Sequence, residues 1–316
     1  MLTVRIPPVE KKSGVLALGC WEFGGDWWGG QDDTESLAAM DAALKHGVNH
    51  FDTAAGYGDG HSERIVGQFL QGKRDQVFVA SKLWPTKFDP DDVVEQVNDS
   101  LRNLRAEVID LYYIHWPLKD DMRPVMEGLE KARRLGKVQA IGVSNFSVEH
   151  MELVSEAGTI NAHQLCYNLL WRYPERDLIP YCREHDIAVV TYSSLAQGIL
   201  AGAFSRHPRF KDGDQRNTTV FFDPDVWPYV YEAVEQLKTL AQELERPLAH
   251  LAIRWVAQQP DVTSVLVGAR NAAEVKENAA AMSGDIPHEV FDRMTEISDQ
   301  VTPFIPDVGN IFRYYP

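Results

Sequence analysis

Short apolar runs recur along this chain of 316 residues, each followed by an amphipathic stretch. The period is about 30 residues, the size of one strand–helix–strand unit. Runs at 16–18, 48–51, 77–80, 109–114, 140–143, 162–167, 188–191 and 262–267 make eight strands. Most are apolar without alternation, the pattern of strands covered on both faces. Helices are expected at about 33–46, 63–71, 89–104, 125–135, 148–157, 176–185, 230–244, 248–258 and 272–281. Asp33 caps the first, Pro90 enters the third, and Gly47 and Gly136 stop the first and fourth. An open doubly wound sheet is the competing α/β architecture, but when it binds a dinucleotide it usually carries a G-x-G-x-x-G turn after its first strand. The chain has no such turn. The expected fold is therefore α/β, a (β/α)8 TIM barrel in a single domain over 1–316. An N-terminal β-hairpin stands in front of it, with 3–6 and 15–18 as strands and a polar turn through Lys11 and Gly14. One long irregular insertion, 203–228, interrupts the alternation.

The formal net charge of -15 gives no attraction for phosphate backbones, so nucleic acid is excluded as a partner. Cys20, Cys166 and Cys182 are too few and too scattered for a disulfide framework or a metal knuckle, and no metal site is expected. Residues 1–9 lack the basic flank and apolar run of a signal peptide, and no apolar segment is long enough to span a bilayer. A cytoplasmic protein without a membrane partner is the expectation.

The polar residues fall in a pattern of their own. Asp52, Lys82, His115, Ser144 and Asn145 follow the carboxyl ends of successive strands. Gln164 lies within the sixth strand, and Tyr192, Ser193 and Arg270 follow the seventh and eighth. Tyr57 stands between Gly56 and Gly58 in the loop after Asp52. Each residue alone has an ordinary explanation: a helix cap, a core histidine, a solvated lysine. A row of unlike polar groups at equivalent positions of consecutive units, all brought to one mouth by a barrel, points to chemistry instead.

These residues resemble the aldo-keto reductases. The matches are Phe51-Asp52-Thr53-Ala54 with Tyr57-Gly58, Ser81-Lys82-Leu83-Trp84, Ile114-His115-Trp116-Pro117 and Gly142-Val143-Ser144-Asn145-Phe146. They continue through Gln164, Tyr192-Ser193, and Gly268-Ala269-Arg270 followed by Glu277-Asn278, so the likeness covers nearly the whole chain. The order is most similar to a broad bacterial branch acting on sugars, inositol derivatives and other carbonyls, itself similar to potassium-channel β subunits. The resemblance implies a barrel that binds NADP(H) across its mouth without a Rossmann domain, with NAD as the alternative, and that interconverts an aldehyde or ketone and its alcohol.

Carbonyl reduction needs a proton donor near neutral pH. Tyr57 is the expected general acid/base, with Lys82 lowering its pKa, Asp52 keeping Lys82 charged, and His115 orienting the substrate oxygen. The resemblance places the catalytic tetrad at these four positions. It also implies that Ser144, Asn145 and Gln164 bond the carboxamide, that Tyr192 stacks on the nicotinamide, and that Ser193, Leu195 and Gln197 follow the diphosphate. Arg270 would grip the adenosine 2′-phosphate beside a helix N-terminus. Gly268, Glu277 and Asn278 complete the cofactor set. Well-known members carry lysine at the position of Gly268 and arginine at that of Glu274, a departure that leaves Arg270 as the basic residue.

Trp21, Trp27, Trp28, Trp84 and Trp116 concentrate in the mouth loops, and Trp21, Trp84 and Trp116 are the expected substrate walls. Arg206, Arg209, Lys211, Arg216 and Asn217 would let the 203–228 insertion fold over the diphosphate, with a plain surface loop as the alternative. The tail residues Phe304, Phe312, Tyr314 and Tyr315 either wall the pocket or dock on the barrel. Two other functions fit the same barrel. One is a Schiff-base lyase with Lys82 as nucleophile, and the other a regulatory subunit that binds the dinucleotide as a sensor.

Overall fold

A computed structural model of the chain describes residues 2–25 and 30–313. Trp27, Trp28, Tyr314 and Tyr315 lie outside the described residues.

Among the described residues, ten strands and ten α-helices follow one another. β1 (Thr3–Val4) and β2 (Ser13–Gly14) form a small antiparallel pair. β3 (Leu16–Gly19), β4 (His50–Asp52), β5 (Phe78–Leu83), β6 (Ile109–Ile114), β7 (Val138–Ser144), β8 (Ala162–Cys166), β9 (Ala188–Tyr192) and β10 (Val262–Gly268) close into a parallel barrel, β10 returning to β3. Around it run α1 (Asp33–Lys45), α2 (His61–Phe69), α3 (Pro90–Leu104), α4 (Arg123–Arg134), α5 (Val148–Ser155) and α6 (Leu178–Glu184). α7 (Trp227–Glu243), α8 (Leu248–Ala257), α9 (Ala272–Ala280) and α10 (His288–Val301) complete the ring. The expected (β/α)8 TIM barrel is the fold.

Four details differ from the sequence reading. Asp32, not Asp33, caps α1, its carboxylate accepting from the Thr34 and Glu35 N–H groups. The second strand of the N-terminal pair is Ser13–Gly14, because Leu16–Gly19 is taken up by parallel ladders with β10 and β4. α10 was not expected, although Val290, Phe291, Met294 and Val301 give it a buried stripe at helical spacing. Lys82 lies inside its strand, and Asp52 and Ser144 end theirs, rather than following them, since the ladder pairs Asp52 with Ala80, Lys82 with Tyr113 and Ser144 with Gln164.

That last difference positions the site. Side chains alternate along a strand, so every second residue faces the barrel interior. Ala17, Phe78, Ala80, Leu111, Tyr113, Ala140, Ala162, Val190 and Leu266 form the inner apolar cluster, and Ile6 and Val9 from the N-terminal segment join it. Two residues after Ala80, Ala162 and Val190 come Lys82, Gln164 and Tyr192, and the top layer is completed by Ser144, four after Ala140, and by Asp52 at the end of β4. Small residues leave room for large ones below: a Cβ on Gly142 would stand 2.3 Å from the Tyr113 ring. A second, larger apolar cluster lies between the strands and the helices.

Candidate active site

Lys82 is the centre of the polar layer and is wholly buried. Its ammonium donates to Asp52 Oδ1 at 2.5 Å, the Thr53 carbonyl at 2.9 Å and the Tyr57 hydroxyl at 3.1 Å. Three donors thus meet three acceptors. Asp52 is also buried, and its second oxygen accepts from Gln164 Nε2 at 2.8 Å. Gln164, expected on the cofactor, is therefore tied to the tetrad as well.

Tyr57 reaches Lys82 from the turn after β4. That turn is clamped on the segment after β3: Gly58 has a positive φ of 59°, and a Cβ there would stand 2.2 Å from the Gly24 carbonyl oxygen. Only glycine allows so close a backbone approach in that conformation. The Tyr57 ring stacks with Trp21, centroids 6.1 Å apart, and meets His115 edge-on at 5.6 Å. His115 also contacts Trp84 at 5.7 Å and Trp116 at 6.4 Å. The three tryptophans expected as substrate walls therefore stand around the expected catalytic phenol and imidazole. Phe312 meets Trp21 edge-on at 6.0 Å, so this part of the tail joins the wall. Phe304 instead stacks on Tyr229, with centroids 3.7 Å apart.

The electrostatics correct one expectation. Lys82 does not bring the Tyr57 hydroxyl below its usual value. Burial pushes it up, Asp52 and Glu22 add to the rise, and the pull of Lys82 does not cancel them. Tyr57 therefore holds its proton in the resting site. Burial opposes the charge on Lys82, but Asp52 and Tyr57 outweigh it and hold the ammonium above its ordinary value. Burial holds the Asp52 carboxyl above its ordinary value against the pull of Lys82 and Gln164; both its oxygens accept hydrogen bonds, and with Lys82 it forms a buried ion pair. His115 is held well below the ordinary imidazole range by burial and by Lys82, so it is neutral. Its Nδ1 is enclosed without a hydrogen-bond partner among the described residues.

Beside these groups lies a run of cofactor-type residues. Asn145, at φ 65°, donates to the His115 carbonyl and to Ser144 Oγ, and accepts from the Tyr192 hydroxyl at 2.6 Å. This fixes the Tyr192 ring at the end of β9. Ser193, Ala196 and Gln197 all take positive φ, following or surrounding Leu195 at φ -99°. The alternation of handedness makes a tight turn in which the Ala196 and Gly198 N–H groups donate to the Ser193 and Leu195 carbonyls. Gln197 Nε2 closes it by donating to Ser193 Oγ at 2.7 Å. These groups suit a flat ring joined to a diphosphate.

The far end is held by α9, whose N-cap Asn271 accepts from the Glu274 N–H. Asn278 donates to the Gly268 carbonyl, and Glu277 lies 3.5 Å from His250. Arg270 is exposed; its guanidinium donates to Gln31 Oε1 at 3.1 Å and to the Gly30 carbonyl. Its backbone N–H donates to Glu274. Two residues here escaped the sequence reading, Gln31 and Glu22. Glu22 packs on Gly268, where a Cβ would stand 2.4 Å from its Oε1; adjacency to Trp21 was its only signal. In the insertion, Arg206 pairs with Glu232, and Arg216 pairs with Asp214 and lies over the Phe210 ring. Among the described residues no cluster suits a metal ion, and no helix is long and apolar enough to cross a membrane.

Comparisons with known proteins agree with this geometry. The Aldo/keto reductase family profile matches residues 15–299. Aldo-keto reductase YhdN of Bacillus subtilis is 37% identical, over 83% of this chain and 82% of its own. The NADH-specific methylglyoxal reductase of Escherichia coli is 31% identical, over 90% and 94%. Among solved structures, the glycerol dehydrogenase AKR11B4 of Gluconobacter oxydans superposes with a TM-score of 0.86 at 34% identity, covering 95% of this chain and 96% of its own. An aldo-keto reductase of Klebsiella pneumoniae in complex with NADPH gives 0.76 at 26% identity, covering 98% and 99%.

Proposed function

The chain belongs to the aldo/keto reductase family, and we propose that it interconverts a short aldehyde or ketone and its alcohol, with Tyr57 giving and taking the proton. Bound NAD(P)H supplies the hydride. Ser144, Asn145, Gln164 and Tyr192 would hold the nicotinamide, and residues 193–197 the diphosphate. Tyr57 donates its proton to the oxygen of the carbonyl as that oxygen gains charge. The Lys82 ammonium, 3.1 Å from the phenol oxygen, stabilises the tyrosinate left behind. Asp52 keeps that ammonium charged and aimed. Neutral His115 offers an N–H to the substrate oxygen without competing for the proton. Trp21, Trp84 and Trp116 exclude water and orient the carbon chain by apolar contact. The names of the methylglyoxal-reducing and glycerol-oxidising relatives support short oxygenated substrates.

The observation that carries this reading is the shared ammonium: one buried lysine bonded to both a carboxylate and a phenol. It also weighs against a Schiff-base lyase, because an ammonium paired to Asp52 and wholly buried is not a nucleophile. Replacing Tyr57 by Phe tests it. Carbonyl reduction should fall by about 10²–10⁴-fold, the usual worth of a positioned acid, while dinucleotide binding, followed by fluorescence quenching, persists. Reduction at near wild-type rate by Y57F would remove Tyr57 from the role.

A further inference from the structure

In the reductase reading the adenosine end of the dinucleotide lies along a groove beyond residues 193–197, and carboxyl groups cluster there, around the end of β10 and the start of α9. Glu22 rests on the bare Cα of Gly268, the last residue of β10, two positions before Arg270. Glu274 lies on the other side of Arg270, accepting from its backbone N–H at 2.9 Å and from Asn271 Nδ2 at 3.1 Å. Glu277 follows one helical turn later on α9. The Arg270 guanidinium is turned to neutral acceptors, Gln31 Oε1 and the Gly30 carbonyl. No salt bridge from Arg270 to either Glu22 or Glu274 accompanies these contacts among the described residues.

NADPH differs from NADH by one phosphate on the 2′-oxygen of the adenosine ribose; where NADPH has that phosphate NADH has a hydroxyl donor, which with the shared 3′-hydroxyl makes a diol. A dianion needs cations and N–H donors; a diol needs acceptors. Glu22 and Glu274 are acceptors; Glu274 repels a phosphate, and so does Glu22 once it is ionised, above about pH 7. Gly268 adds a steric element. Any side chain at that position would displace the Glu22 carboxyl, so the glycine is what lets the carboxyl occupy the groove. Burial pushes Glu22 up to about 7, Glu274 adds to the rise and Arg270 opposes it, as expected of a carboxyl with no full counter-charge.

We propose that Glu22 and Glu274 are specificity residues that make this chain bind NADH more tightly than NADPH. The inference rests on the reductase reading, since it presumes a dinucleotide in this groove. It goes beyond that reading by naming the two carboxyls that select between its two cofactors. Titration of the ligand-free protein with NADH and with NADPH, followed by quenching of intrinsic fluorescence, tests both. The wild type should bind NADH about tenfold more tightly. E22Q and E274Q keep side-chain volume and remove charge, and each should tighten NADPH about three- to tenfold with little gain for NADH. A thermal melt of each variant establishes that it is folded. Tighter NADPH than NADH binding by the wild type overturns the proposal and leaves the reductase reading standing. So do equal changes for both cofactors in both variants. Binding of neither cofactor overturns the reductase reading with it.

Discussion

Replacing Asp52 by Asn keeps the shape of the side chain and removes its charge. Lys82 then retains the Thr53 carbonyl and the Tyr57 hydroxyl but loses its anionic partner, with no solvent to compensate. Removing one member of a buried ion pair costs about 3–5 kcal/mol, because the remaining charge sits in a poorly solvating medium. The ammonium has an alternative, which is to release its proton. For a lysine of ordinary pKa near 10.4 that costs ~1.36 kcal/mol per pH unit below it, or about 4.6 kcal/mol at pH 7 and about 1.9 kcal/mol at pH 9. The smaller cost governs. D52N should therefore lose about 3–4.6 kcal/mol at pH 7 and about 2 kcal/mol at pH 9. In the variant the folded lysine's pKa lies below its unfolded value, so the unfolded chain holds the proton more strongly and the variant recovers as pH rises. The wild type behaves oppositely. Burial disfavours its ammonium, but Asp52 and Tyr57 hold it above the ordinary value, so its contribution is complete below the unfolded pKa and is lost only as pH rises through the folded one. Urea unfolding of both proteins at pH 7, 8 and 9 gives the comparison. A loss that does not shrink with pH, or one below about 1 kcal/mol at pH 7, would refute the buried-pair argument. Adding Lys82→Met to D52N should restore much of the loss, since no unpaired charge remains.

Two further outcomes follow from burial. Burial holds His50 and His163 neutral, with Lys82 adding to the effect on His50, and pushes both down to about 3. The unfolded chain protonates them near 6.5, so each should withdraw about 1.3 kcal/mol of stability as pH falls from 7 to 5.5. Urea unfolding at the two pH values checks this, and a His163→Gln protein with an undiminished acid sensitivity would contradict it. A Cβ on Gly67 of α2 would stand 2.3 Å from the Asn103 carbonyl oxygen and 2.8 Å from Leu104 Cα, backbone atoms of α3 that cannot rotate away. Gly67→Ala should cost about 1–3 kcal/mol by overpacking, read as a lower melting temperature. An unchanged melt would mean that α2 and α3 separate freely.

The strand–helix alternation was legible because it is a local property. Burial on both faces writes an apolar run for each barrel strand, and a stripe at helical spacing writes each covering helix. α9 was expected within a residue of its observed end, and α7 began three residues earlier than expected, at Trp227. α10 has an equally clear stripe but lies beyond the eighth strand–helix unit, where the repeat no longer calls for a helix. The N-terminal hairpin is present, but its second strand lies at Ser13–Gly14 instead of 15–18, because Val15 and Leu16 are good strand residues for either partner and pairing with β10 and β4 decides between them.

Asp52, Lys82 and His115 could be singled out by position alone, as unlike polar residues at matching points of successive repeats, and Tyr57 as a tyrosine held between two glycines in the loop after Asp52. What they do to one another could not. The sign of the shift on Tyr57 depends on how much solvent the fold removes from the phenol, set against a single ammonium 3.1 Å away. The bond from Gln164 to Asp52 joins residues 112 apart. Glu22 looked like a polar residue in a tryptophan loop until the fold set it on Gly268. Periodicity and residue type determined the barrel and which side chains would face its mouth, because both are repeated along the chain at fixed spacing. Distances between groups and the loss of water around them were decided only by tertiary packing, because charge acts through space and is strengthened or weakened by what surrounds it.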